Sequence, residues 1–154
     1  MARAFGDEPA RNIAFQTVVL EWLMVHHNPF DLIHVHDHMA GLIPFFLKYS
    51  SRYAKLKAIP SLLTIHNGAY RGQLFWNEVR HLLPYYEAEH GGVMEWDGMI
   101  NSLAAALKCA TAINTVSPSY MSELINYPDT LKPLYDTVKG KCQGILNGLS
   151  LIHI

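Results

Sequence analysis

Four short apolar runs, each ending in polar residues or a turn, are the feature that most constrains how this chain can fold. They cover residues 31–36, 61–65, 111–116 and 143–146. The stretches between them have helical length and spacing. Short buried strands that alternate with helices are typical of βαβ units. The pattern therefore predicts an α/β fold with a mostly parallel sheet.

The intervening segments predict helices with several different signals. Ser117 followed by Pro118 is a helix start, because Ser caps a first turn and Pro fits its first position. Pro44 fits the helix of 39–49 if that helix begins near Gly41. The segment with Pro128 and Pro133 predicts a looser connection. Further helices are expected over 12–26, 75–83 and 97–109. In the first of these we expect a wide buried face formed by Ile13, Phe15, Val18, Val19, Trp22 and Leu23.

Charge and composition exclude several classes of function. The 154 residues carry 12 Lys and Arg against 13 Asp and Glu, so no basic excess exists for binding a nucleic acid. No apolar run reaches the roughly 18 to 20 residues that span a bilayer, and residues 1–8 do not resemble a signal peptide. The two cysteines, Cys109 and Cys142, fit a reducing compartment. We therefore expect a cytoplasmic protein that contacts neither nucleic acid nor membrane.

Polar residues stand where each predicted strand ends. His36 follows the first strand, His66 and Asn67 the second, Ser117 the third, and the pair Asn147 and Gly148 the fourth. Ligands of parallel α/β sheets bind outside the carboxyl ends of the strands. The sequence therefore predicts that these residues share one rim and form a site there. Individually, Ser-Pro is most often a simple cap and Asn-Gly a simple turn.

The densest cluster, residues 34–38, allows two interpretations. His34, His36, Asp37 and His38 could ligate zinc in a hydrolase, although one residue is missing relative to the His-x-His-x-Asp-His signature of such enzymes. The simpler interpretation is that His34 packs in the core with its ring hydrogen-bonded.

Five ordered motifs resemble those of the bacterial glycogen synthases and plant starch synthases. Residues 34–44 read His-Val-His-Asp-His-Met-Ala-Gly-Leu-Ile-Pro, and residues 64–72 read Thr-Ile-His-Asn-Gly-Ala-Tyr-Arg-Gly. The others are Glu-Trp-Asp-Gly-Met-Ile-Asn at 95–101, Thr-Val-Ser-Pro-Ser-Tyr at 115–120 and Gly-Ile-Leu-Asn-Gly at 144–148. Residues 5–11 also resemble the family's Tyr-x-Asp-Asn-x-x-Arg stretch. The resemblance covers nearly the whole chain.

The resemblance implies the N-terminal, acceptor-side domain of a GT-B glycosyltransferase, with a Rossmann-like three-layer α/β/α fold. Such enzymes transfer glucose from ADP-glucose to the non-reducing end of an α-1,4-glucan, with retention, and need no metal or other cofactor. The donor is bound mainly by their C-terminal domain. By resemblance His36 and Asp7 are catalytic. The resemblance implies that His66, Asn67 and Tyr70 lie near the sugar and the acceptor. From their places in loops and at strand ends we add Gly72, Ser117, Asn147 and Gly148 to the predicted substrate-binding residues, with Gly72 allowing its loop to approach a ligand closely.

The chain also departs from the family pattern. The Lys-Thr/Val-Gly-Gly loop and the whole C-terminal domain do not occur in it, so we expect a fragment that is inactive alone. Residues 1–148 are predicted to be a partial catalytic domain. Residues 149–154 match the translation of a common sequencing adapter and are predicted to be a non-native tail. Alternatives are another GT-B transferase, or a carbohydrate-binding module that stacks sugars on Tyr70, Trp76, Tyr85, Tyr86 and Trp96.

Overall fold

The computed structural model describes residues 7–26, 30–79, 82–83 and 91–148, and its centre is the predicted parallel sheet. Its strands are β1 (Ile33–His36), β2 (Ser61–Ile65), β6 (Ala112–Thr115) and β7 (Cys142–Gly144). They pair in parallel in the order β1-β2-β6-β7. The α/β class with a mostly parallel sheet is therefore confirmed, and every sheet strand ends at the same rim.

A second, antiparallel sheet was not predicted. It consists of β3 (Gln73–Leu74), β4 (Glu95–Trp96) and β5 (Met99–Asn101), in the order β3-β5-β4. The predicted helix over 97–109 is therefore wrong at its start. Asp97 and Gly98 both adopt positive φ angles, of 56° and 74°, which is the two-residue turn that joins twisted antiparallel strands.

The helices of the described residues surround this framework. They are α1 (Glu8–Val25), α2 (Ile43–Tyr49), α3 (Trp76–Val79), α4 (Gly91–Met94), α5 (Ser102–Cys109), α6 (Pro118–Asn126) and α7 (Lys132–Val138). Asn101 caps α5 by accepting a hydrogen bond from the Ala104 amide at 2.9 Å. None of these helices is long and apolar enough to cross a membrane.

The hydrophobic core lies on one face of the parallel sheet. Alternate strand residues, including Val35, Leu63 and Ile113, are almost fully buried there. Helices α2, α5 and α7 supply the other side of this core. The sequence signal for α5 is its run of small and apolar residues. Every residue of this helix is buried except Lys108. This packing holds the strands in register, and the register fixes the rim.

The wide buried face predicted for α1 is wrong. Its buried stripe is Ile13, Gln16, Leu20 and Leu23. Phe15, Val18 and Trp22 are 58%, 66% and 48% exposed, because α1 contacts the rest of the described residues along one narrow stripe. Gln16 belongs to that stripe since its Oε1 accepts the Leu42 amide hydrogen bond at 2.8 Å.

The proline-containing segment near the end of the chain is only partly loose, because residues 127–131 are non-helical whereas α7 begins at Lys132. Pro133 occupies the first turn of α7, where its missing N–H removes no hydrogen bond. Asp129 fixes the entry to this helix by accepting a hydrogen bond from the Leu131 amide at 2.7 Å. Helix α6 begins as predicted, with the Ser117 Oγ accepting the Tyr120 amide at 3.0 Å.

Candidate functional site

Two imidazoles meet at the rim of the parallel sheet. The Nδ1 atom of His36, at the end of β1, lies 3.0 Å from Nε2 of His66, which follows β2. This contact leaves the other ring nitrogen of each histidine available to a ligand. Farther along the rim, the Asn147 amide donates to Val116 O at 3.2 Å, just beyond β6. The predicted convergence at the carboxyl ends of the strands is therefore present.

Asp37 holds the two loops of this site together. Its Oδ1 accepts hydrogen bonds from the backbone amides of His66 and Asn67, at 2.8 and 3.3 Å. Its own amide donates to Thr64 O at 2.9 Å. To make these contacts Asp37 adopts φ 53° and ψ −165°, a region that is nearly restricted to glycine. Backbone strain of this kind is typical of functional sites.

The loop after β2 presents polar atoms outward. The Asn67 Oδ1 accepts the Ala69 amide at 3.0 Å, which orders the turn and leaves the Asn67 Nδ2 facing solvent. Tyr70 is 50% exposed, so its ring is accessible at the same end of the sheet. Both predicted binding residues belong to the same loop as His66.

Gly72, predicted above to bind substrate, has a packing role in the fold. Its φ is +62°, and a Cβ there would lie 2.9 Å from Cδ2 of His38 and 3.0 Å from Cβ of Ser102. The Ser102 amide also donates to Gly72 O at 3.2 Å. The glycine therefore allows the loop to pack closely against the 38–40 turn and the start of α5.

His34 does not lie in the core, so that expectation is wrong. Ile33 and Val35 face the core, and the alternation of the strand turns His34 and His36 to the opposite, exposed face. The ring of His34 is nevertheless hydrogen-bonded, with Nε2 2.6 Å from Thr64 Oγ1. The Thr64 hydroxyl in turn donates to Asn114 on β6. Partial burial, together with His36 and His66 nearby, lowers the pKa of His34.

The structure does not assemble the zinc ligands considered above. His34 and His36 lie on the exposed sheet face, whereas His38 turns toward Gly72 and Tyr70. The Asp37 carboxylate is directed at backbone amides. Across the described residues, no group of three or more His, Cys, Asp or Glu side chains is placed to hold a metal ion. Burial lowers the pKa of the His38 imidazole, against the opposing effect of Asp37 and Glu8.

Three predicted site residues have no contact with the His36–His66 pair among the contacts of the described residues. Asp7, at the start of α1, pairs with Arg11 at 3.4 Å, and no described contact joins its carboxylate to the rim. Ser117 caps α6, which is its simpler interpretation. Gly148 is exposed at the end of the described chain. Residues 1–6, 84–90 and 149–154 lie outside the described residues, so Tyr85, Tyr86 and the predicted tail are not placed.

Sequence reasoning missed the residues that brace the loop after β2. The Gly68 amide donates to the Tyr120 hydroxyl at 2.8 Å, and Arg71 forms an ion pair with Asp129. Arg71 also donates to Thr130 Oγ1 at 2.9 Å. Gly68, Arg71 and Tyr120 lie within the motifs quoted above, whereas Asp129 and Thr130 carried no signal in the sequence. Asp37 was visible beside His36, but its backbone conformation was not.

Comparisons with known proteins agree on one family. The family model described as the starch synthase catalytic domain matches residues 1–138. Glycogen synthase of Flavobacterium johnsoniae is 40% identical over 147 residues, which cover 96% of this chain and 31% of that protein. Glycogen synthase of Halalkalibacterium halodurans is 37% identical, with 97% and 31% covered. The chain thus spans about a third of the length of these curated relatives.

A solved structure shows the same fold. The catalytic domain of starch synthase IV from Arabidopsis thaliana, determined with ADP and acarbose bound, matches with a TM-score of 0.81. The sequences are 21% identical, and the match covers 95% of this chain and 31% of that one.

Proposed function

Because the chain belongs to the starch synthase catalytic domain family, we propose that its parent protein is a glycogen or starch synthase. The family resemblance predicted from five motifs is thereby confirmed. The proposed reaction is the retaining transfer of glucose from ADP-glucose to the non-reducing end of an α-1,4-glucan. The proposal concerns the whole protein. The present chain corresponds to about 31% of the length of the Flavobacterium johnsoniae relative.

The observation that carries this proposal is the His36–His66 contact at the rim, fixed by Asp37. Each imidazole keeps one nitrogen for a ligand, and an imidazole can donate or accept a hydrogen bond. Such groups suit the hydroxyls of a glucosyl unit. We propose that they bind the transferred glucose and stabilise it as positive charge develops at its anomeric carbon.

The contacts at the rim favour binding of the donor and of the acceptor by two different parts of the protein. Phosphate groups need cationic or amide donors, but the rim amides of His66 and Asn67 already bind Asp37. Arg71, an arginine of this loop, is paired with Asp129. We therefore propose that the rest of the protein holds most of the ADP-glucose, that this chain forms the acceptor side, and that the chain alone is inactive. The Arabidopsis starch synthase structure contains ADP and acarbose, which supports a nucleotide-sugar donor and a glucan acceptor for this proposal.

Three other assignments belong to the same proposal. Residues 1–148 would be the partial catalytic domain, and residues 149–154 the non-native tail. Tyr70, Asn147 and Gly148 would contact substrate, and Asp7 would act only once the remaining protein places it near His36. A cytoplasmic location is proposed from Cys109 and Cys142, both of which are free thiols.

A hybrid enzyme tests the proposal. Residues 1–148 replace the matching segment of the Flavobacterium johnsoniae glycogen synthase, and transfer of labelled glucose from ADP-glucose to glycogen is measured. The hybrid should be active, and H36A or H66A should lower its rate by about 100-fold or more. The matched control is H26A, because His26 is exposed at the end of α1.

Two results would contradict the proposal in different ways. A folded hybrid without any transfer activity would overturn the synthase assignment. An active hybrid in which H66A keeps the full rate would overturn the role of the rim. The donor is tested separately, by comparing ADP-glucose with UDP-glucose as substrates of the intact parent protein.

A further inference from the structure

A cleft of about 640 Å³ opens beside the rim, on the side of His66 that faces away from β1. Its walls are the loop after β2 on one side, and helix α6 with the start of α7 on the other. Three tyrosines line it, namely Tyr120, Tyr127 and Tyr135, and we call it the tyrosine cleft. Of the three, only Tyr120 contributes to the site described above, through the hydrogen bond from the Gly68 amide.

Tyr135 forms the floor of the tyrosine cleft. Its side chain is 2% exposed, and its hydroxyl oxygen has no hydrogen-bond partner among the described residues. A buried hydroxyl that lacks a partner is unfavourable, so a ligand or an ordered water is expected to satisfy it. Burial raises the pKa of Tyr135 far above its ordinary value, so this group remains an O–H donor.

Among the acidic and basic side chains of the walls there are two carboxylates and one arginine. The Asp129 carboxylate pairs with Arg71, and Glu123 adds a second carboxylate to the lining. The Tyr120 hydroxyl oxygen accepts the Gly68 amide at 2.8 Å, which leaves its own proton to be donated. No excess of positive charge is present, so a phosphate would be a poor ligand. An uncharged molecule with several hydroxyl groups fits these donors and acceptors.

The mouth of the cleft supplies an aromatic surface. Tyr127 is 58% exposed, and its ring can cover the apolar face of a pyranose while its neighbours bind the hydroxyls. The lining continues through Asn67 to His66, the residue at the proposed transfer site. A glucan that left the rim in this direction would reach the tyrosine cleft directly.

We propose that the tyrosine cleft is a secondary glucosyl subsite, which binds a sugar unit of the acceptor chain outside the transfer position. Tyr135 donates a hydrogen bond to one sugar hydroxyl, Asp129 accepts from another, and Tyr127 stacks on the ring. This assignment rests on the proposed function. Its distinguishing feature is that the Tyr135 hydroxyl serves the ligand and not the fold.

Maltotriose binding to the 154-residue chain tests this proposal, with tyrosine and histidine rings isotopically labelled for NMR. The key variant is Y135F. Because the hydroxyl is unpartnered in the unliganded protein, Y135F should unfold at the same or a higher urea concentration than wild type. It should also weaken maltotriose binding by about 3- to 10-fold, the value of one hydrogen bond. The matched control is Y53F, since the Tyr53 hydroxyl donates to Glu21 at 3.0 Å outside the cleft.

The outcomes separate the two proposals. Shifts of the Tyr120, Tyr127 and Tyr135 signals, with weaker binding by Y135F, support the subsite. The subsite is overturned if Y135F binds maltotriose as tightly as wild type. It is also overturned if the urea unfolding midpoint of Y135F falls as far below wild type as that of Y53F. If Y135F fails to fold, Y127A gives the same decision through its affinity. Histidine signals at the rim that shift while the tyrosines do not would overturn the subsite alone, and no shift anywhere would overturn both proposals.

Discussion

Replacing Asp37 should separate the two opposing effects that this residue has on the fold. Its carboxylate accepts two backbone hydrogen bonds from the loop after β2, at 2.8 and 3.3 Å. Hydrogen bonds to charged groups contribute about 1.5–3 kcal/mol, and the lower value applies because Asp37 is only half-buried. Its backbone conformation, φ 53° and ψ −165°, costs about 1–3 kcal/mol for any residue other than glycine.

Three variants at this position should therefore differ in a fixed order. D37A loses the hydrogen bonds and keeps the strain, so it should lower the free energy of unfolding by about 2 kcal/mol. D37G loses the same bonds but relieves the strain, and its stability should lie within about 1 kcal/mol of wild type. D37N keeps an acceptor oxygen without the charge and should lose about 1 kcal/mol.

Urea unfolding followed by circular dichroism measures these differences, and amide exchange reports the loop. In both D37A and D37G the amides of His66 and Asn67 should exchange faster with solvent, because their acceptor is gone. If D37G were as unstable as D37A, the strain argument would be refuted. If the two amides stayed protected in D37A, Asp37 would not be the residue that holds the loop.

Three further predictions concern packing, capping and pH. G144A should destabilise the chain by about 3 kcal/mol in urea unfolding, because the added Cβ would lie 2.3 Å from the Pro118 Cα. The control is G140A, which has open space around the added Cβ and should leave the stability unchanged or slightly increased. S117A removes the cap of α6 and should cost about 1 kcal/mol, and an unchanged midpoint would show that the cap is dispensable. The pKa values of His34 and His38 are lowered in the native chain, so below about pH 6.5 the unfolded chain binds protons that the native chain does not. The urea concentration at the unfolding midpoint should therefore decrease as the pH is lowered from 7.5 to 5.5, and this decrease should be smaller in the H38Q variant. A midpoint that increases over this range would contradict the lowered pKa values.

The parallel sheet could be predicted because its signals are local. Strand β2 occupies the predicted run of residues 61–65, since four consecutive apolar or β-branched residues follow Ser61 and the run is bounded by Pro60 and by His66. The polar ends of the strands then placed the rim without further information, because parallel strands share one carboxyl edge. The site was therefore predictable to the level of which loops form it.

The errors arose where tertiary contacts decide the outcome. Trp96 and Met99 pair across the Asp97–Gly98 turn, and the alanine-rich sequence that follows concealed this hairpin within a longer predicted helix. The exposure of Phe15 and of His34 depends on which faces have packing partners, and apolar periodicity alone does not give that. The strained backbone of Asp37 and the orphan hydroxyl of Tyr135 are likewise properties of the assembled fold.

The most direct measurement of the central claim is an acarbose titration of the chain, followed by the imidazole signals of its histidines. The signals of His36 and His66 should move together and saturate at one ligand concentration, because the two rings share a hydrogen bond at the rim proposed to bind the sugar. The signal of His26, which follows the last residue of helix α1, should not move. Equal shifts of all three histidine signals, or no shift of the His36 and His66 signals, would contradict the claim that these strand ends bind the sugar.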